Sequence, residues 1–455
     1  MFETLYSTIE LFARSGGGGS GGNSGGGGGE FFALLGYIPS YYIGLLVKKL
    51  LPRTAELIVS ITSATIISIV LLVIAAHLGS FGILVGILII IGVWAGWYAA
   101  FFSIVERLKS RIKKTSAQIT IAASADPLWN AESLKQQYTT AFMDYQKDWS
   151  QFNLEHIISY TTPEYARHAG LLMRILKEMH RTNTMSEIEI LESGIVAMQD
   201  STYNDSDFFQ VAFHAKAEDT LWDTRTQTAL YTDRSKFTEY WTFVRKDDRW
   251  LLGNISQETA DIASQNNAIK AFAEQNGMYY SLDMGWLFLP NKGVLFRGGK
   301  FKTSDINNHV VGLHNDLLVQ LYTYEPIRNT SILVAQINLP KSYEGIIIRR
   351  KTFLATSGLP KIPSNYRRYT MEWADFNDRY TVHATNQDSL ATFELLNPGF
   401  MAYLYDADAD VSIEVADNVV YLYKRSVVSR TSLNMGPGYL GLFTILDKAF
   451  KELRL

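Results

Sequence analysis

The chain has no cysteine among its 455 residues, which excludes disulfides and thiolate metal sites. It has no marked excess of either charge: 42 Lys and Arg stand against 45 Asp and Glu, a net of −3. A general nucleic-acid binder is strongly basic, so no nucleic acid is expected among its partners. HExxH, GxSxG and clustered His/carboxylate patterns are absent, and no metal or cofactor is expected. "FRGGKFK", 296–302, lacks the order of a phosphate loop. "DADADVSIEVAD", from Asp406, has Val411 and Asp417 where an EF-hand needs Gly and Glu, so a polar turn is the expectation there.

The longest absence is of charge in mid-sequence. From Leu57 to Phe102 there is no Asp, Glu, Lys or Arg, only His77. Leu57–Ala76 and Phe81–Phe102 are each long enough to cross roughly 30 Å of hydrocarbon at about 1.5 Å per residue. A two-span hairpin is therefore predicted over 57–103, with Trp94, Trp97 and Tyr98 as an interfacial belt. Arg107, Lys109, Arg111, Lys113 and Lys114 follow it, Lys48, Lys49 and Arg53 precede it, and the tip carries none. The positive-inside rule puts both ends in the cytoplasm, which predicts a multi-pass protein of a bacterial inner membrane with its domains on the cytoplasmic side. The five basic residues after the hairpin are also candidate contacts for anionic headgroups. Gly82, Gly86, Gly92 and Gly96 offer small-residue packing that suits a homo-oligomer.

Before the hairpin, 1–30 is a short amphipathic segment and a glycine-rich tether, and 31–56 an interfacial segment broken by Gly36, Pro39 and Gly44; a third span is the alternative. After it, 104–131 reads as a basic juxtamembrane linker. Leu134, Tyr138, Phe142, Tyr145, Trp149 and Phe152 mark an apolar helix face, and a second stripe follows Thr162-Pro163. Strands are predicted at 187–199, 208–217, 224–233 and in the hairpin "YWTFVRKDDRWLLGNI", 240–255. Its Tyr240, Thr242 and Val244 face one way, and Trp241, Phe243 and Arg245 the other. Trp241 and Trp250 are expected where its strands pair. Helices before antiparallel strands give an α+β domain over 132–257. A linking helix, 258–279, and a second α+β domain, 280–455, complete the chain.

The segments "DWSQFNLEHIISYTTPEYARHAG" and "FTEYWTFVRKDDRWLLGNISQ" carry a resemblance to the Tim-44-like domain family, over about a quarter of the sequence. That resemblance implies a cone of helices against a curved antiparallel sheet, like nuclear transport factor two and ketosteroid isomerase. It implies binding of membrane lipid and partner proteins rather than catalysis; the expected job is to hold lipid or an unfolded or partner polypeptide, in protein transport or membrane-protein assembly. The last third is similar to a bacterial family of unknown function through "SILVAQINLPKSYEGIIIRRK", "FNDRYTVHATNQDSLATFELLNPGFMAYLYD" and "DVSIEVADNVVYLY".

The expectation is a membrane-anchored scaffold and no catalytic residue. Its rivals are a cone isomerase or hydrolase for a lipid-like substrate, and a structural membrane oligomer. Trp149, Phe152, Tyr160, Tyr165, Tyr231, Trp241, Arg245 and Trp250 are the candidates for lining an apolar pocket. An enzyme would need a buried carboxylate or imidazole, and His156, His168, Asp205, Asp207 and His214 were weighed for that part. No pattern pairs either of the first two with an acid. For Arg245 an ion pair with Glu239 is the expected arrangement, against an anionic headgroup or peptide carboxylate.

Overall fold

The computed structural model describes residues 35–44, 53–102, 104–256, 267–283, 285–296, 306–327, 330–352, 359–385, 396–426 and 435–453. The predicted tether and parts of the interfacial segment, the first part of the linking helix and most of "FRGGKFK" lie outside them.

The apolar region is a helical hairpin. A first helix covers 35–44 (α1), followed by α2 (Arg53–His77) and α3 (Gly79–Phe102). Gly79 turns the chain with φ 75°, a conformation that a side chain would strain. Gly86 packs on Ala75 of α2, and Gly96 lets the backbone of α1 at Tyr37 and Tyr41 approach α3. Two of the glycines expected to join copies thus join helices of one chain. Among the described residues no helix is long and apolar enough to cross a membrane. Side chains are described there only over 61–80 and 82–97. The backbones run on to 25 and 24 residues, about 36 Å at 1.5 Å per residue.

Residues 104–131, expected as a linker, are mostly a helix, α4 (Ile104–Ala125). Its apolar side is Leu108, Ile112, Ile119 and Ala122. Leu108 and Ile112 pack against Val196, Ala212 and Tyr240 on the outer face of a sheet, and Thr115 donates to the carbonyl of Ile195. The helix fits closely because Gly194 lies under Ile112: a Cβ there would be 2.7 Å from the Ile112 Cδ1.

Three helices cover the other face: α5 (Ala131–Gln151), α6 (Leu154–Tyr160) and α7 (Pro163–Glu178). Asn130 caps α5 through the amide of Ser133 at 3.0 Å. Thr162 caps α7 through that of Tyr165 at 3.2 Å, with Pro163 at the first helical position. The sheet runs β1 (Arg181–Gln199), β2 (Phe208–Asp223), β4 (Lys236–Lys246), β5 (Arg249–Ser256), with β3 (Thr228–Asp233) also on β2. Three register shifts between β1 and β2 coil it around the helices. The first strand starts six residues before the predicted 187: His180 takes φ 54°, ends the helical region, and lets Arg181–Ser186 pair with Asp223–Glu218. The β4–β5 turn is Asp247-Asp248, both at positive φ, the two-residue geometry that matches sheet twist. Within it Trp241 opposes Ile255 and Trp250 opposes Arg245, so both tryptophans lie where the strands pair, as expected.

The second α+β unit begins with α8 (Asn267–Gln275) and β6 (Tyr279–Asp283). Its sheet continues with β7 (Ile306–His314), β8 (Leu317–Ile327), the 21-residue β9 (Thr330–Arg350), β10 (Arg367–Tyr369), β11 (Tyr380–Ala384) and β12 (Ser412–Ser426). β9 is shared: β8 and β12 flank its first half, β11 and β12 its second. Helices α9 (Ala374–Arg379), α10 (Pro398–Asp406) and α11 (Met435–Leu453) complete the unit. The "DADADVSIEVAD" stretch is a helix end, a turn and a strand; Asp408 in it pairs with Arg350 and Arg379.

The two units share a seam. Arg181 donates to the carbonyls of Leu287 (3.0 Å) and Leu289 (2.7 Å), and Asn338 donates to Glu178. His168 stacks on Tyr279 at 5.2 Å. Near it His309 is fully enclosed, and burial pushes it down to about 4, offset in part by its bond to Gln320 at 2.9 Å. Burial lowers His168 too. A folded pKa below the unfolded value of about 6.5 means that the stabilisation is complete above 6.5 and is lost as the pH falls towards 4. For His309 this amounts to about 3 kcal/mol. Asp126 and Asp417, whose carboxyls are held below their ordinary value, lose their contribution only at lower pH. Urea unfolding at pH 7.5 and pH 4.5 should therefore show the drop, and His309→Gln should reduce it, leaving the part due to His168. An unchanged slope in that variant would remove His309 as its source.

Candidate functional site

The hollow of the first unit is filled from three sides. Helix α5 contributes Tyr138, Phe142, Tyr145 and Trp149 at helical spacing. Strand β2 presents Phe209, Val211 and Phe213, and β4 presents Phe237, Glu239, Trp241 and Phe243 at alternate positions. Phe142 stacks on Phe213 at 4.3 Å. Trp241 meets Phe142 at 5.2 Å and both Tyr145 and Phe213 at 5.5 Å. Such offset and edge-on rings add to their area burial. Their polar ends are matched internally: the Trp241 indole donates to Glu239 at 2.9 Å, Tyr165 to Tyr145 at 3.2 Å, and Trp149 to Asn183 at 2.9 Å, with Asn183 bonded in turn to Asp219. Burial pushes the Tyr145 and Tyr165 hydroxyls above their ordinary value, so both stay protonated donors.

The eight candidate pocket residues fall into five places. Trp149, Tyr165 and Trp241 meet around Tyr145 in the centre of the core. Trp250 belongs to a second aromatic group with Trp129 (4.7 Å) and Phe209 (4.9 Å), and its indole donates to the carbonyl of Leu128. Phe152 ends α5 in the left-handed region, with the Lys177 ammonium 5.0 Å above its ring, and Tyr160 donates to Asp148 nearby. Tyr231 is half-buried on β3, opposite Leu221.

Arg245 stands apart and is 4% exposed. It does form the expected ion pair, but not with Glu239. Its guanidinium meets Asp126, Asp207 (3.3 Å) and Asp248 (2.7 Å). Burial lowers its pKa, but the bonds to Asp248 and Asp126 outweigh that and raise it. Glu239 shares its strand face but is directed to Trp241 instead.

Of the candidate acids and bases, His156 does have an acid: its Nδ1 lies 2.7 Å from Asp148. Asp148 also accepts from Tyr160 (2.9 Å) and Asn153 (3.0 Å), so this carboxylate ties the end of α5 to α6. Asp207 accepts from the Ser201 amide as well as from Arg245, and Asp205 is exposed in a single 3-10 turn, Asn204–Ser206. His214 bonds Thr238 at 3.0 Å, and burial lowers its pKa. A fully enclosed carboxylate in the first unit that sequence reasoning did not weigh as an acid or base is Glu239. The row Phe237-Glu239-Trp241-Phe243 was its signal: a carboxylate at an apolar-face position. Its carboxylate accepts from the Trp241 indole, and Phe213 lies directly opposite it on β2.

Lys109, Lys113 and Lys114 are exposed along α4 and Arg111 is half-buried; the side chain of Arg107 lies outside the described residues. No group of acids and histidines able to hold a metal occurs among the described residues. The seam between the units encloses about 10 Å³ lined by Glu178, Asn291, Lys292, Gln336, Asn338 and Tyr421, room for one water molecule.

No family model matches the chain, and no curated protein matches it. Among solved structures it is similar to the mycobacterial trehalose monomycolate transport factor A, with 18% identity and a TM-score of 0.31, over 41% of this chain and 93% of the other. It is also similar to the intermembrane space region of the chloroplast protein ARC6, with 9% identity and a TM-score of 0.21, over 28% of this chain and 95% of the other. Both scores are below 0.5, and neither likeness assigns this chain a family.

Proposed function

We propose that the chain is a membrane-anchored, non-enzymatic scaffold. Its Tim-44-like cone holds lipid or polypeptide at the cytoplasmic face of a bacterial inner membrane, in protein transport or membrane-protein assembly. The observation that carries this reading is the outer surface of the hairpin. Ile66, Ile69, Val73 and Leu84 are each more than half exposed, in a stretch with no Asp, Glu, Lys or Arg from 57 to 102. Apolar side chains around helices whose backbone bonds are satisfied internally suit hydrocarbon and not water. Lys109, Lys113 and Lys114 follow at once on α4, where anionic headgroups would attract them. Because α4 also forms the back of the cone, the anchor and the binding unit are joined by packed structure rather than by a loose tether.

The experiment is alkaline carbonate washing of native membranes, followed by mass spectrometry of what co-purifies with the full chain. Retention in the pellet together with recovered phospholipid or polypeptide is expected. Release into the wash removes the anchor. Recovery of one polar metabolite, abolished by Glu239→Gln in a chain that still folds, replaces the scaffold with a cone enzyme.

A further inference from the structure

The far half of β9 carries a feature that the cone does not involve. Arg349 is 7% exposed and forms no ion pair among the described residues. Its Nε and Nη2 are sealed from solvent without a hydrogen-bond partner. The strand register sets its neighbours. Thr381 of β11 lies opposite Arg349, and His383 opposite Ile347, so both share its face, as does Glu414 of β12. Arg368 of β10 lies opposite His383 and extends the face by one more cation. The Tyr423 hydroxyl lies beside Arg349 and Ser412 without meeting hydrogen-bond geometry to either. His383 Nδ1 is likewise sealed and unbonded. Burial, then Arg349 and Arg368, depress the His383 pKa, which shows how closely the cations crowd it.

The Arg349 guanidinium therefore has two enclosed donors here with no acceptor to receive them. The carboxylate on this face, Glu414, is turned to the backbone amides of Val294 and Leu295 (3.1 Å to the latter). A buried guanidinium without a counter-ion is costly, and native interiors rarely leave such donors unmatched. The planar fork of an arginine fits two oxygens of one anion, and a tyrosyl hydroxyl supplies a third donor. We propose that Arg349, Tyr423 and His383 form a binding site for a phosphate or carboxylate oxyanion in the second unit, independent of the cone. Arg349 would hold two oxygens and Tyr423 a third, and His383 would contribute its Nδ1 proton.

The test uses the full chain in neutral detergent, with thermal unfolding read in inorganic phosphate and in chloride at equal ionic strength. Phosphate should raise the Tm by several degrees. Arg349→Met should abolish that rise, and in chloride it should unfold no earlier than the parent, since it removes a buried charge that lacks a counter-ion. Tyr423→Phe, which keeps the ring, should weaken phosphate about tenfold, the worth of one bond to a charged group. Nanodiscs with and without phosphatidic acid separate the sources: a response to free phosphate assigns a soluble oxyanion, and a response to phosphatidic acid alone assigns a headgroup. No rise with either, or a rise that persists unchanged in Arg349→Met, overturns the proposal.

Discussion

Replacing Trp241 with alanine should destabilise the folded chain by about 3–5 kcal/mol, the range for removing a fully buried large aromatic. The indole is completely enclosed and touches rings from α5 and β2 at once: Phe142, Tyr145 and Phe213. Its loss leaves a cavity bounded on two sides by rigid backbone, which cannot close up. It also strips Glu239 of its indole donor in a place that water does not reach. Trp241→Phe keeps most of the volume and loses only the N–H, so it should cost clearly less. Denaturant unfolding followed by fluorescence checks both. Equal costs for the two variants would mean that the polar bond, and not the packing, dominates.

Arg245→Ala is expected to cost a similar amount, about 3–5 kcal/mol, for an electrostatic reason. Removing one member of a buried ionic group leaves the others unpaired. Asp207, whose side chain is fully enclosed, and Asp126 would then face each other across the space that the guanidinium filled. Asp248 is largely exposed and should contribute little. The double variant Arg245→Met with Asp207→Asn should recover part of the loss, because it removes a buried charge along with its partner. If it is no more stable than Arg245→Ala, the cluster acts through packing alone.

The sequence was readable where one face of an element is uniformly apolar. The stripe from Leu134 to Trp149, the Thr162-Pro163 start of α7 and the alternation along β4 each stand in the fold as their spacing dictates. It was unreadable where the deciding partner is remote. Asp126 reaches Arg245 across 119 positions, and Glu239, only six positions before Arg245, was the nearer and mistaken choice. The paired acid of His156 escaped notice because Asp148 sits on the preceding helix, brought round by the left-handed Phe152. α4 was masked by its own charges: the run of Lys and Arg described its wet side and hid Leu108 and Ile112 on the other. The donor cluster at Arg349 draws on β9, β11 and β12, whose adjacency no local pattern encodes.

Glu178 is the last residue of α7 and Arg181 the first of β1, and both are gripped by the second unit, through Asn338 and through the carbonyls of Leu287 and Leu289. That corner is the elbow where the cone's helical roof bends into its β-floor. A clasp at an elbow couples the two units: a substitution that loosens it acts on the end of α7 and the start of β1 together.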